Sequence, residues 1–480
     1  MELRDVLGHA VADAWGSTDI TALAYDNRRV LPGTLFFCVP GFTRDGHDFA
    51  ADAVAAGAAA LVVQRPVDVD PAVPQVLVPD VRAAMATAAA AFHGDPTARL
   101  TMVGITGTNG KTTSAYLMRD VLEAAGIRTG LLGTIVTVVG GEAQDAVRTT
   151  PEAIDLQATF AAMLDAGDEA CVMEVSSHAL ALHRADAIHW DAAIFTNLTQ
   201  DHLDFHADMD EYLAAKRRLL EADPGVRILN VDDPSGAALA LDFDDAVTVG
   251  IDTPADVQAV GVSTSAAGSE FTVDGVRFAI PLPGRFNVSN ALGVIAAARS
   301  LGISDPVIAG ALPRAGRVPG RFEPVDEGQA FAVLVDYAHT PDSLDNVLRA
   351  ARELTGRGRV LCVFGAGGDR DRGKRPQMGA IAAAGADRTV ITSDNPRSED
   401  PYAILSAIMD GVPEDARDFV EVIEDRRVAI ERGIALAADG DVVVIAGKGH
   451  EQGQELADGY KVPFDDVTVA REALRAQLDA

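Results

Sequence analysis

Gly104-Ile105-Thr106-Gly107-Thr108-Asn109-Gly110-Lys111-Thr112-Thr113 stands between an apolar run, Leu100 to Ile105, and a segment with apolar residues at helical spacing, Ser114 to Ala125, that stops at Gly126. Strand, glycine-rich turn and helix in that order mark a phosphate cradle in an α/β fold. The backbone N–H groups of Gly107 to Lys111 are expected to point at a polyphosphate. Lys111 adds a point charge, and Thr112 or Thr113 offers a hydroxyl to Mg²⁺. The motif is a variant of the usual phosphate-loop signature, because Ile105 occupies the place of its first glycine. A polyphosphate and Mg²⁺ are the expected ligands, with Gly107, Thr108, Asn109, Gly110, Lys111, Thr112 and Thr113 as the cradle.

Lysine is scarce. Among 40 Lys plus Arg it stands only at Lys111, Lys216, Lys374, Lys448 and Lys461. Arginine is the default cation here, so a lysine points to a need for a compact ammonium, or for an amine able to lose its proton. That pointer falls on Lys111, Lys216, Lys374 and Lys448.

With 480 residues, 48% of them hydrophobic, the chain has room for about three domains. A net charge of −31 argues against nonspecific binding to nucleic acid or to anionic membranes, both of which need a basic face. The first residues carry neither a basic nor an apolar leader, and the Ala-rich stretch Ala50 to Val63 is interrupted by Asp52 and too short to span a bilayer. A cytoplasmic protein is expected, without membrane insertion. Cys38, Cys171 and Cys362 lie far apart in apolar runs, as buried thiols in a reducing compartment do.

Two Pro/Gly/Arg-rich joints, His93 to Arg99 and Pro313 to Arg321, divide the chain into expected domains 1–97, 98–318 and 319–480. In the last, strand-like runs at Ala332–Asp336, Arg359–Phe364, Arg388–Thr392 and Asp441–Ile445 alternate with helix-like segments, the pattern of a parallel sheet with crossover helices. Ligands of such sheets gather at strand carboxyl ends. Glu174 and His202 each follow a strand-like run, and their convergence beside Lys111 would make a Mg²⁺ and phosphate site. Mg²⁺ favours hard oxygen ligands, so His202 is expected to act through water. The alternative is that both merely pair with or cap neighbouring helices. Lys216, beside Arg217 and Arg218 in the helix-like Met209 to Glu221, reads by itself as a solvated cation.

Taken together, GTNGKTT, EVSSHAL, NLTQDHLDFH, EYLAAKRRLL, LPGRFNVSNALG, DYAHTPDSL, GAGGDRDRGKRPQMG, DNPRSEDP and AGKGHE resemble the Mur ligase family, in order and over nearly the whole chain. The resemblance implies an α/β protein of three domains: an N-terminal α/β domain, a central P-loop-type ATPase domain and a C-terminal Rossmann-like domain. It implies ATP-dependent amide synthesis through an acyl phosphate, with meso-2,6-diaminopimelate added to UDP-MurNAc-L-Ala-D-Glu. The expected protein is a monomer of peptidoglycan precursor synthesis.

The same resemblance implies roles for residues. Lys111, Glu174, His202 and Lys216 are the implied catalytic group; Thr112, Thr113, Glu174, His202 and Lys216 are the implied metal set. Lys216 is implied to be carbamylated by CO₂, which only a neutral, desolvated amine undergoes. Asn287, Arg321, Asp336 and His339 resemble nucleotide contacts, although Asp336 and His339 also read as a turn and helix cap. Asn27, Phe42, Thr43, Arg44, Thr149, Thr150, Ser176 and Arg184 match contacts to the UDP-MurNAc-dipeptide, with Asn27 where many relatives carry serine. Arg370, Asp394, Asn395, Pro396, Arg397, Gly447 and Glu451 match contacts to diaminopimelate. Arg397 suits a bidentate pair with a carboxylate that L-lysine lacks. The rival expectations are the same ligase using L-lysine, and a nucleotide-binding regulator without activity.

Overall fold

The computed structural model describes residues 1–265, 267–316 and 318–478; Arg317, inside the second joint, lies outside the described residues. The fold is mixed α/β, and contacts along the chain divide it into two compact units. One comprises Met1–Thr106, Gly126–Ala193 and Ala215–Gly225, the other Gly107–Ala125, Ile194–Ala214 and Val226–Ala480.

The first unit opens with a four-stranded parallel sheet of Ala22–Ala24, Thr34–Phe37, Ala58–Val63 and Gln75–Leu77 in sequential order. Alternation sorts its strands between two cores. Leu35, Phe37, Ala60 and Val62 pack with helix Val81–Phe92, while Phe36, Cys38 and Leu61 pack on the other face with Ala50 and Ala53. Asp80 caps the long helix by accepting the Arg82 and Ala83 N–H groups. Beyond it, strand Thr101–Thr106 pairs in parallel with Ala170–Glu174, which pairs in parallel with Thr129–Leu132. The register sets Ile105 opposite Glu174, so the end of the phosphate-loop strand and the carboxylate are level.

The second unit carries helix Lys111–Ala124, which begins three residues before the expected Ser114. The Ser114 N–H donates to Gly110 O at 2.9 Å, so the first helical turn closes on the loop itself. A six-stranded sheet runs in the order Glu323–Pro324, Ala332–Asp336, Val442–Ala446, Val360–Phe364, Arg388–Ile391 and Val420–Val422, parallel except at its first pair. Apolar residues fill both faces, as in a parallel sheet covered by helices on each side. Asp336 and Phe364 both pair with Ala446, and Phe364 with Ile391. The segments starting at Tyr337, Gly365, Thr392 and Gly447 therefore leave the sheet along one edge, at strand carboxyl ends.

Candidate active site

In the second unit the phosphate loop is shaped by the main chain. Gly107 has φ +148° and Gly110 φ +87°, and a Cβ would come within 1.9 Å of Thr196 Oγ1 at the first and 2.2 Å of Asn290 Oδ1 at the second. Only glycine fits there. The Thr108 N–H donates to Asn197 O (2.9 Å), the Asn109 N–H to Asn197 Oδ1 (2.9 Å), and Thr196 Oγ1 to Asn109 O (2.6 Å). Lys111 Nζ folds back onto Gly107 O (2.9 Å) and Thr108 O (2.8 Å). Thr112 and Thr113 are buried, and Arg321 Nη2 donates to Thr112 Oγ1 at 3.2 Å while its guanidinium lies 4.5 Å from the centre of the Tyr337 ring. Among the described residues buried Arg321 Nε has no hydrogen-bond partner, which leaves a cationic donor for an anionic ligand.

Around that loop, Asp201 gathers the cations. It accepts the His202 N–H (2.9 Å) and lies 3.4 Å from His202 Nε2, 3.7 Å from His339 Nε2 and 4.0 Å from Lys374 Nζ. Burial alone would raise its carboxyl, but the His339 hydrogen bond and the charges of His202, His339 and Lys374 hold it far below the usual carboxylate range. Asp336 is different. Its two oxygens accept the Phe322 and Ala338 N–H groups at 2.6 and 2.8 Å, and burial pushes its carboxyl up. It staples the turn, and Thr340, in a reciprocal capping box with Ser343, starts the helix Pro341–Thr355. Asn287 is buried, with Nδ2 on Pro283 O at 2.8 Å.

At the sheet edge, Asp394 to Arg397 and Gly447 to Glu455 are knotted together by side chains. Lys448, fully buried, donates to Asn395 Oδ1 (2.7 Å) and Glu451 Oε2 (3.1 Å) and lies 3.9 Å from Asp394. Asn395 Nδ2 donates to the same Glu451 oxygen at 2.8 Å. Arg397 sits at φ +52°, and its Nη1 donates to Gly368 O at 2.7 Å. Pro396 carries the turn, Gly447 N–H donates to Asp336 O (3.1 Å), and Arg370 is exposed. Beneath both loops the wholly buried pair Arg426–Asp466, 2.6 Å apart, also binds Ser393 O and Ala446 O through Arg426.

In the first unit, Glu174 is fully buried. Its Oε1 accepts the Thr134 N–H (2.8 Å) and its Oε2 the Thr134 hydroxyl (3.0 Å), which is 3.1 Å from the Thr149 hydroxyl. Thr150 Oγ1 donates to Glu174 O (2.9 Å) and accepts the Ser176 N–H (3.2 Å). Arg184 donates to Thr150 O (3.3 Å) and pairs with Glu152 at 2.8 Å. Lys216 is 1% exposed, which corrects the reading of it as a solvated cation. Asn27 opens a short 3-10 turn capped by Asp26, and Phe42, Thr43 and Arg44 form an exposed loop.

Three family descriptions match in succession: "Mur ligase family, catalytic domain" at residues 19–93, "Mur ligase middle domain" at 105–298 and "Mur ligase, glutamate ligase domain" at 320–449. A UDP-N-acetylmuramoyl-L-alanyl-D-glutamate–2,6-diaminopimelate ligase of Geobacillus thermodenitrificans is 48% identical over 96% of each chain. The chain belongs to the Mur ligase family. A ligase of the same name from Geobacillus kaustophilus is 47% identical over 99% of each chain. A solved structure bearing that name matches 100% of this chain and 99% of its own, at 30% identity and a TM-score of 0.72.

As a Mur ligase the chain is an ATP-dependent enzyme, and the phosphate loop fits the nucleotide: main-chain N–H groups, Lys111 and the unsatisfied Arg321 donor meet negative charge, and the Thr112 and Thr113 hydroxyls are hard oxygen donors for Mg²⁺. Among the described residues no three His, Cys, Asp or Glu side chains cluster as a metal site. No helix among the described residues is long and apolar enough to cross a membrane. Asp201, Asn197, Asp342, Glu152 and Glu455 escaped the sequence reading. Asn197, Asp201 and Asp342 lie inside quoted motifs, and Asp342 accepts the Nδ2 of Asn109, 233 residues away in sequence, at 2.9 Å.

Proposed function

We propose that this ligase adds meso-2,6-diaminopimelate to the D-glutamyl γ-carboxylate of UDP-MurNAc-L-Ala-D-Glu, forming ADP and phosphate. The observation that carries the substrate is Arg397, whose guanidinium is anchored through Nε and Nη1 and keeps further donors for a distal carboxylate. L-Lysine has no such carboxylate and would leave the cation unmatched.

A carboxylate is a poor electrophile, so the ATP γ-phosphoryl group moves to it first. The amine then attacks the acyl phosphate carbonyl, and the tetrahedral intermediate expels phosphate. The phosphate-loop N–H groups, Lys111 and Arg321 orient the phosphates and neutralise their charge. Thr112, Thr113, Glu174, His202 and a carbamylated Lys216 would hold Mg²⁺, directly or through water, and the ion would supply Lewis-acid neutralisation of the phosphates. Burial of Lys216 supports the carbamate, because a desolvated amine favours its neutral, CO₂-reactive form. Asn287, Asp336 and His339 complete the nucleotide side. Asn27, Phe42, Thr43, Arg44, Thr149, Thr150, Ser176 and Arg184 receive the UDP-MurNAc-dipeptide. Arg370, Asp394, Asn395, Pro396, Gly447 and Glu451 join Arg397 around the diamino acid. The family segments support domains at 1–97, 98–318 and 319–480. The enzyme acts as a cytoplasmic monomer.

Phosphate release from ATP in the presence of UDP-MurNAc-L-Ala-D-Glu tests the proposal. Turnover is expected with meso-diaminopimelate and not with L-lysine. Preference for lysine would overturn the substrate, and silence with every amino acid would overturn the activity.

A further inference from the structure

The carboxyl edge of the four-stranded parallel sheet carries a histidine to which no motif gives a role. Strand Thr34–Phe37 runs on into the segment that holds Phe42, Thr43 and Arg44, and strand Ala58–Val63 runs on into Gln64 and Arg65. His47 joins the two segments. It is buried, its side chain 1% exposed. Its Nδ1 lies 2.6 Å from Asp45 Oδ1, and its Nε2 accepts the Gln64 N–H at 3.0 Å. A carboxylate oxygen accepts and a backbone N–H donates, so these two partners fix the ring as the tautomer that carries its proton on Nδ1.

Asp45 is the other half of the anchor. The same Oδ1 accepts the His47 N–H at 2.9 Å and caps the short 3-10 turn Gly46–Phe49, while Oδ2 pairs with Arg65 at 2.8 Å. Burial alone would raise the Asp45 carboxyl, but the His47 and Arg65 contacts overrule it and draw it down to about 2. Gln64 Nε2 donates to Pro79 O at 3.2 Å, which ties in a third segment, beyond strand Gln75–Leu77. Between these fixed points the chain doubles back. The Gly41 N–H donates to Arg44 O and the Gly46 N–H to Val39 O, both at 2.9 Å. A Cβ on Gly46 would come within 2.5 Å of Val39 N, so the crossing admits only glycine. The tip, Phe42 to Arg44, is exposed, and the two ends of the loop set where it stands.

We propose that His47 is a positioning residue for the UDP-MurNAc-dipeptide: it locks the base of the loop to Gln64 and so holds Phe42, Thr43 and Arg44 where the substrate arrives. This rests on the reading of that loop as a substrate contact and adds the residue that fixes it. His47 itself does not touch the substrate. Its loss strands a buried backbone N–H and a carboxylate oxygen, and the tip is no longer held in one geometry.

Phosphate release is measured with wild type, His47→Ala and the double variant Phe42→Ala/Arg44→Ala, varying each of the three substrates in turn. For His47→Ala the KM for UDP-MurNAc-L-Ala-D-Glu is expected to rise about tenfold, with kcat and the KM values for ATP and meso-diaminopimelate within about twofold of wild type, the split that follows when binding of one substrate is lost. Equal rises for all three substrates, or a fall in kcat alone, would assign His47 to general stability, and an unmoved KM for the dipeptide would mean that other bonds fix the loop; each overturns the proposal. If the alanine variant unfolds, His47→Asn takes its place. Its shorter amide reaches Asp45 but not the Gln64 N–H, so a selective rise in the dipeptide KM supports the proposal and its absence overturns it. The double variant separates the two readings. A raised dipeptide KM there, with none in His47→Ala, sinks only the positioning role, whereas no change there would sink the loop as a substrate contact and the proposal with it.

Discussion

The phosphate loop and the Asp394–Glu455 cluster both lie in the second unit, each following a strand, and they are built from opposite materials. Main-chain atoms shape the first. Glycines at positive φ, carbonyls under Lys111 and amide contacts from Asn197 define it. Charged side chains shape the second, through Lys448, Glu451, Asn395, Arg397 and Glu455. A main-chain cradle recognises what every nucleotide polyphosphate shares. Paired charges on long side chains distinguish one amino acid from another, and they are built in only where the surrounding structure holds each partner.

That contrast breaks first at Lys111. Lys111→Ala should lower the rate of phosphate release by about 10³-fold or more, the scale of losing a preorganised charge at a transferring phosphoryl group. A variant retaining a tenth of the activity would mean that the main chain suffices alone. The side-chain region has its own foundation in Arg426 and Asp466. Asp466→Asn leaves a buried guanidinium uncompensated and should cost about 3–5 kcal/mol in a denaturant titration. If stability is unaffected, the pair does not support the loops above it. Arg397→Ala should lower kcat/KM for diaminopimelate by about 10²-fold, with KM for ATP unmoved. Parallel loss in both would show that the two regions are not separable.

The smallest effect is on pH. Burial, with help from the nearby Arg321 and His339 charges, lowers the His450 imidazole from its ordinary 6.5 to about 4. Between those values the unfolded chain binds a proton that the folded one resists. Stability from this group is therefore full above about pH 6.5 and lost as the pH falls toward about 4. With the partial solvent access of the ring discounted, the loss is on the order of 2 kcal/mol. His450→Gln should flatten this part of a thermal-midpoint profile between pH 7 and 4.5, and an unchanged profile would assign the acid lability elsewhere.

The two regions also differ in how far they could be read before folding. GTNGKTT announced strand, cradle and helix because its function is local, and four of the six strands of the last sheet were legible from their apolar runs, while the short Glu323–Pro324 and Val420–Val422 were not. The helix start moved from Ser114 to Lys111, and strand ends moved by one residue. DNPR pointed to Arg397, yet neither Glu455 nor the role of Lys448 followed from it, since their partners lie 58 and 53 residues away in sequence. Lys216 looked solvated beside two arginines. Helix periodicity does not say which stripe a second element will cover, and the fold buries it.

By itself the sequence determined the α/β class, the phosphate loop and the scarcity of lysine, because backbone preference, apolar period and residue chemistry act over a few neighbours. Tertiary structure alone decided that Lys216, Lys374 and Lys448 are buried, that Asp201 collects two histidines and a lysine, and that Arg397 is held open-edged by Glu455. Burial and ion pairing depend on which distant segments meet, and charges gain their strength and direction only once those segments exclude water.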